Sequence, residues 1–336
     1  MKKSGPLLLV VMLCSLVSPL AVSAQRRLTI KLASLVPERS VWGEKLIQIA
    51  AEWNRITNGE VEMIISHNGV AGSEETVLKK LNANQIQAAV FTSFGLNQIS
   101  PEIMTLSCPF FIRNDEELER VLEGLKPELE AKINEKNYVM LAWSKAGWVN
   151  LFSRNPVFVP ADLKRQKLGT PPSEPKLTQA FNSMGFRLVA MDMQDVQVKL
   201  ASGMIDAVYQ SPAAVAAYQI FGVAKNMASI KIAPFMGGIV INQPAWRRIP
   251  ERYKPELIQV TRQIARELDV SILDLEERAI STMVKNGLII NRLNPEQEQL
   301  WYNETERAMP GLLGTTFDRD IYQKVDVILK NHRNGR

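Results

Sequence analysis

Apolar residues recur along this chain in two rhythms. Leu28, Ile30 and Leu32 alternate with polar neighbours, the two-residue period of a strand with one buried face. Ser40 stands where a helix N-cap belongs. Behind it Trp42, Leu46, Ile49, Trp53 and Ile56 return at steps of four and three, on one helical face. Asn58-Gly59 stops that helix, and Val61, Met63 and Ile65 restart the strand period. Gly69-Val70-Ala71-Gly72-Ser73 leads into a helix over residues 74–84, and residues 87–92 supply a third strand. Strand, helix, strand, helix, strand predicts a doubly wound α/β unit, in which ligands sit past the carboxyl ends of the strands. Those ends fall at residues 35–42, 68–73 and 92–96, which makes Trp42, Asn68 and Phe94 candidate pocket residues.

The alternation returns between Gly147 and Pro212. Short apolar runs at 167–170, 187–190 and 205–209 are separated by helical stretches with polar or proline starts, as in a parallel sheet with crossover helices. Residues 138–143 form an apolar strand that carries the chain into this second unit. Residues 230–242 read as a returning strand pair broken at Gly237-Gly238. From Pro250, Leu257, Val260, Ile264, Leu268, Ile272, Leu275, Ala279 and Met283 keep helical spacing without proline or glycine, for about ten turns. Pro295 and Gly311 break up the remaining helices, and residues 331–336 form a frayed tail. The predicted organisation is a leader at 1–24, one α/β lobe from 25–145 with 230–250, and a second from 146–229. A long helix at 251–290 spans both, followed by C-terminal helices at 291–336.

Composition adds a compartment. The 336 residues are 46% hydrophobic and 22% charged, ordinary for a globular chain of two domains. Lys2 and Lys3 precede apolar residues 6–13, and Val22-Ser23-Ala24 places small residues where a signal peptidase reads, so cleavage after Ala24 and export are expected. An uncleaved anchor is the alternative; Cys14 follows Leu13, not the small residue that lipidation requires. Losing residues 1–24 lowers the formal charge from +5 to +3, with no basic tract to suggest nucleic acid. Only Cys108 then remains, so no internal disulfide forms.

An enzyme reading finds little to stand on. His67 sits near a strand end and His332 in the tail, no Cys/His cluster has metal-ligand spacing, and no G-x-S-x-G, GxGxxG or P-loop occurs. No cofactor is called for. Asp192 and Asp195 read as a helix start.

The order of landmarks resembles the solute-binding proteins of TRAP (tripartite ATP-independent periplasmic) transporters, of the C4-dicarboxylate-binding type. The family's "P-x-D-L-K-G-x-K-I-R-x-P", "L-G-A-x-P-V-x-M" and "A-L-Q-x-G-x-V-D" are matched here by Pro160, Asp162, Leu163, Lys164, Lys167, Leu168 and Pro171; by Met184, Gly185, Val189 and Met191; and by Leu200, Gly203, Ile205 and Asp206. Earlier, Gly72, Glu75, Leu78, Ile86, Ala89 and Pro101 follow the family, as do Pro109, Phe110, Phe111 and Arg113. The resemblance covers roughly residues 28–290. It implies a two-domain periplasmic-binding-protein fold, α/β with doubly wound sheets, crossing strands and a long bracing helix. It further implies a ligand captured by hinge closure and delivered to small and large membrane permease subunits.

The chain departs from that family where the ligand is held. The two arginines that grip a carboxylate fall on Val149 and Gly169, neither of which donates from its side chain. A buried carboxylate without a partner is costly, so a neutral or largely apolar ligand is expected, with space left at Gly169. The candidate wall is Phe94, Phe110, Phe111, Trp143 and Trp148, with Trp42, Met191, Phe235 and Met236. Thr170, Tyr209, Gln210 or Ser211 would orient a polar end. An apolar cargo would also suit an accessory periplasmic helical-repeat protein. The competing readings are a conventional organic-acid binder using Lys145, Arg154 or Arg187, a ligand-sensing subunit of a signalling system, an enzyme built on Asp192, His67, Ser93 or Glu74, and a structural surface protein.

Overall fold

The computed structural model describes residues 27–171, 175–192 and 195–335. The expected leader, its cleavage site and Cys14 lie outside them. β1 (Leu28–Ala33), α1 (Val41–Ile56), β2 (Val61–Ser66), α2 (Glu74–Asn82) and β3 (Ala88–Thr92) follow the predicted order, and α3 (Ser93–Ile99) leads into a 3-10 turn at Pro101–Ser107. Ser40 caps α1 by accepting from the Gly43 amide, and Asn58 and Gly59 leave it at positive φ. α4 (Asp115–Glu135) then delivers the chain to β4 (Tyr138–Ser153).

The second unit comprises α5 (Pro160–Lys164), β5 (Lys167–Thr170), α6 (Pro175–Ser183), β6 (Arg187–Ala190), α7 (Val196–Ala201), β7 (Ala207–Gln210) and α8 (Pro212–Ala217). β8 (Asn226–Asn242) returns, followed by α9 (Gln243–Arg248), α10 (Lys254–Lys285), β9 (Ile289–Asn291), α11 (Pro295–Leu312) and α12 (Arg319–Asn334).

The strands form one sheet in the order β2-β1-β3-β8-β4-β7-β5-β6, with β9 also on β8. The crossing strands β4 and β8 are long enough to join the two expected sheets into one hydrogen-bonded surface. β8 pairs with β3 through residues 237–241 and continues along β4 from 242 to 226. Gly237-Gly238 therefore does not break a strand pair. A Cβ at Gly237 would stand 2.7 Å from the Phe91 carbonyl oxygen, so glycine is what lets β3 approach. Two further expectations fail for a related reason, since propensity yields where packing holds a helix. α11 runs through Gly311 to Leu312, and α12 reaches Asn334, anchored by Ile321, Val325 and Leu329 against Leu118, Val121 and Leu125 of α4.

α1 and α10 cover one face of β1–β3. Leu46, Ile49 and Trp53 pack with Leu257 and Ile264, and the Trp53 indole donates to Thr261 Oγ1 at 2.9 Å. α4 and α12 cover the opposite face. Around β5 to β7 the core divides into a cluster on Phe181, Tyr209 and Trp301 and another on Met191, Ile205 and Met283.

Candidate ligand-binding site

The fold's special point lies where β4 and β8 cross. Lys145 pairs with Met236, but the next pair is Trp148 with Pro234, so Ala146 and Gly147 bulge opposite Phe235. Gly147 has φ +96, and a Cβ there would stand 2.2 Å from Glu276 Oε1. Phe235 is left on the wall of two neighbouring cavities, which also share Thr92 and Gln210.

The larger cavity measures about 910 Å³. Trp42, Leu46 and Ile49 of α1 form one wall, and Ile264, Leu268, Ile272 and Leu275 of α10 another. Ala213, Ala214, Ala216 and Ala217 of α8 bring small side chains close, and Met236 lies on β8. The cations are engaged: Lys45 is 2.7 Å from Glu267, and the exposed Arg278 is 2.7 Å from Asp274. Two buried carboxyls line it. Glu74 accepts from the Thr92 amide at 2.5 Å and from Thr92 Oγ1 at 2.9 Å, and burial pushes its pKa up. Glu276 accepts from the Trp148 amide at 3.1 Å, and burial lifts it to about 7.

The smaller cavity, about 260 Å³, lies past the carboxyl ends of β3, β5 and β7. Ser93, Asn97, Gln98 and Ser107 give it polar character. Val149, Phe94, Phe181 and Tyr209 supply apolar wall. Lys176 of α6 reaches it and makes no ion pair among the described residues.

Of the residues singled out from sequence, Trp42, Ser211 and Met236 line the larger cavity, and Phe94, Val149 and Tyr209 the smaller. Gln210 and Phe235 line both. Eight lie elsewhere. Asn68 is exposed in a turn at φ +58. Phe110 packs at 5.0 Å on Trp301, and Phe111 stacks at 4.4 Å on Tyr322. Trp148 is buried, donating to Asp115 Oδ1 at 3.0 Å beneath Lys231. Thr170 is buried, and Met191 belongs to the core around Ile205.

Gly169 opens no space: a Cβ there would meet Met191 Sδ at 2.9 Å and Ile205 Cδ1 at 3.0 Å. Nor is Trp143 pocket wall, since it is buried with its indole on Glu130.

The substitute cations also lie outside both cavities. Lys145 pairs with Glu119, Arg154 stands 3.8 Å from Asp206, and Arg187 is exposed. The sequence reading missed the α10 face, Glu276, Asn97 and Lys176. Its helical stripe was legible, but apolar spacing alone does not separate a face that lines a cavity from one that braces a core. Among the described residues no group of three His, Cys, Asp or Glu side chains could hold a metal, and no helix is long and apolar enough to cross a membrane.

A model of the bacterial extracellular solute-binding proteins, family 7, matches residues 32–311. A solute-binding protein of Chromohalobacter salexigens is 27% identical over 166 residues, 49% of each chain, so the match spans about half the length of that relative. The 2,3-diketo-L-gulonate-binding periplasmic protein of Escherichia coli is 24% identical over 69% of this chain and 71% of its own. Among solved structures, a TRAP periplasmic solute-binding protein from Sulfurospirillum deleyianum with bound succinate superposes with a TM-score of 0.76. It shares 22% identity and covers 89% of this chain and 98% of its own, a likeness of fold.

Proposed function

Because the chain belongs to family 7 of the bacterial extracellular solute-binding proteins, the family of the TRAP binding components, we propose that it captures a small solute and hands it to a membrane permease. In this reading it is a binding protein of the periplasm, exported by residues 1–24, and not an enzyme. Its two lobes divide at the crossing of β4 and β8, the first holding residues 25–145 with 230–250 and the second 146–229. They close over the ligand by bending there, and contacts to both lobes favour the closed form.

The ligand we infer is neutral or largely apolar. The observation that carries this is the 910 Å³ cavity, whose walls are mostly aliphatic and aromatic and whose two cations are already paired. At about 25 cal/mol per Å², burying roughly 400 Å² of apolar ligand gives about 10 kcal/mol before association costs of at least about 4 kcal/mol. A cargo of this kind would gain from handover through an accessory helical-repeat protein, because direct transfer spares it from water.

A small organic acid in the 260 Å³ cavity is the second reading. It is favoured by Lys176 on that wall and by the acids named for two of the relatives. The test is to purify the protein from cells, compare native and denatured masses, and identify what is released. A neutral or lipid-like mass is expected. A small carboxylate would overturn the apolar reading in favour of the second.

A further inference from the structure

The larger cavity holds one polar group that the fold leaves incompletely compensated. Glu276 is only 8% exposed, yet it forms no ion pair among the described residues. Its single hydrogen bond, from the Trp148 amide, uses Oε1. The cation acting on it, Lys231, is committed to Asp115 at 3.1 Å and lies over the Trp148 ring at 4.5 Å. Among the described residues nothing donates to Oε2, and Glu276 lines the cavity. Burial lifts the carboxyl to about 7, the signature of a charge short of partners.

Glu74, the other carboxyl on this wall, differs because Thr92 occupies both of its oxygens. The position of Glu276 is enforced from two sides. Gly147 must lack a side chain for the carboxyl to fit, and neighbouring turns of α10 place Ile272 and Leu275 on the apolar wall beside it.

We propose that the larger cavity binds an amphipathic ligand bearing an amine, its ammonium donating to Glu276 and its apolar body lying along α10, α1 and α8. A buried carboxylate lacking a cation is stabilised by one that arrives with the ligand, and a ligand carboxylate there would meet like charge. The assignment rests on the apolar-cavity reading and adds the chemistry of the head group.

Displacement of the neutral fluorescent probe N-phenyl-1-naphthylamine at pH 8, where Glu276 is ionised, separates the two. Decylammonium, decanol and decanoate serve as competitors. Decylammonium is expected to displace the probe at a concentration at least tenfold below the other two. In Glu276→Gln the advantage of decylammonium over decanol, measured in the same variant, should fall to within threefold. If probe and decanol bind but decylammonium has no advantage, or keeps it in Glu276→Gln, the head-group assignment is overturned while the apolar cavity stands. If neither probe nor decanol binds, both fall. The ranking in the unmodified protein is decisive on its own should the variant fail to fold, and decanoate equal to decylammonium would refute the assignment.

Discussion

Val149 and Gly169 occupy positions that look equivalent in the sequence, each standing where an arginine is expected, but their surroundings differ. Val149 lies on the wall of the smaller cavity, whereas Gly169 is buried against Met191 and Ile205. Val149→Arg therefore adds a cation to the wall of a cavity that Ser93 and Asn97 also line. That variant should fold and acquire succinate binding measurable by calorimetry. Gly169→Arg must first displace Met191 Sδ from 2.9 Å, and overpacking of this kind costs about 1–3 kcal/mol. A loss of urea stability without any gain in anion binding is expected there. A folded Val149→Arg that binds no anion would remove the smaller cavity from consideration as an acid site.

At the scale of elements, α10 does two jobs with one stripe. Its first half locks onto α1, where the Trp53 indole donates to Thr261 Oγ1, and that hydroxyl in turn donates to the Leu257 carbonyl at 2.7 Å. From Ile264 onward it also lines the larger cavity. Thr261→Val keeps the shape and removes the acceptor, stranding a buried indole N–H, which costs about 1–3 kcal/mol. The urea midpoint should fall accordingly. Probe binding at the far end of the helix should remain, because Leu275 and Glu276 lie about four turns away. An unchanged midpoint would mean that the Trp53–Thr261 bond contributes nothing net.

For the whole molecule, two raised carboxyls on α10 set the expected pH dependence. Asp269, which accepts from the Lys145 amide, is lifted to about 6 by burial, and Glu276 to about 7. Both exceed the unfolded value of about 4, so the native state binds more protons than the unfolded chain between those limits. Their contribution is present below that range and lost as pH rises through 6 and 7. The depressed carboxyls Asp115 and Glu117 act the other way, but only in acid below about 4.5. Stability to urea should therefore be higher at pH 5.5 than at pH 8, with Glu276 alone supplying about 2 kcal/mol. Glu276→Gln should remove that share, and a pH-independent difference between the two proteins would contradict the assigned ionisation.

Local periodicity determined the elements. Alternation at Leu28, Ile30 and Leu32, the stripe from Leu46 to Ile56, the cap at Ser40 and the stop at Asn58-Gly59 all act within a few residues, where hydrogen bonding and burial repeat with the chain's own period. The order of those elements, with the spacing of landmarks, was enough for the fold and the family. The placement of individual pocket residues was not. Phe110, Phe111 and Trp148 are aromatic like Phe94 and Phe235, but partners distant in sequence decide which ring joins a core: Trp301 for the first, Tyr322 for the second and Asp115 for the third. The pairing of Lys145 with Glu119 and the fit of Glu276 over Gly147 join residues 26 and 129 positions apart. No sequence period encodes such encounters, so tertiary structure alone decided which charges are spent within the protein and which remain available to a ligand.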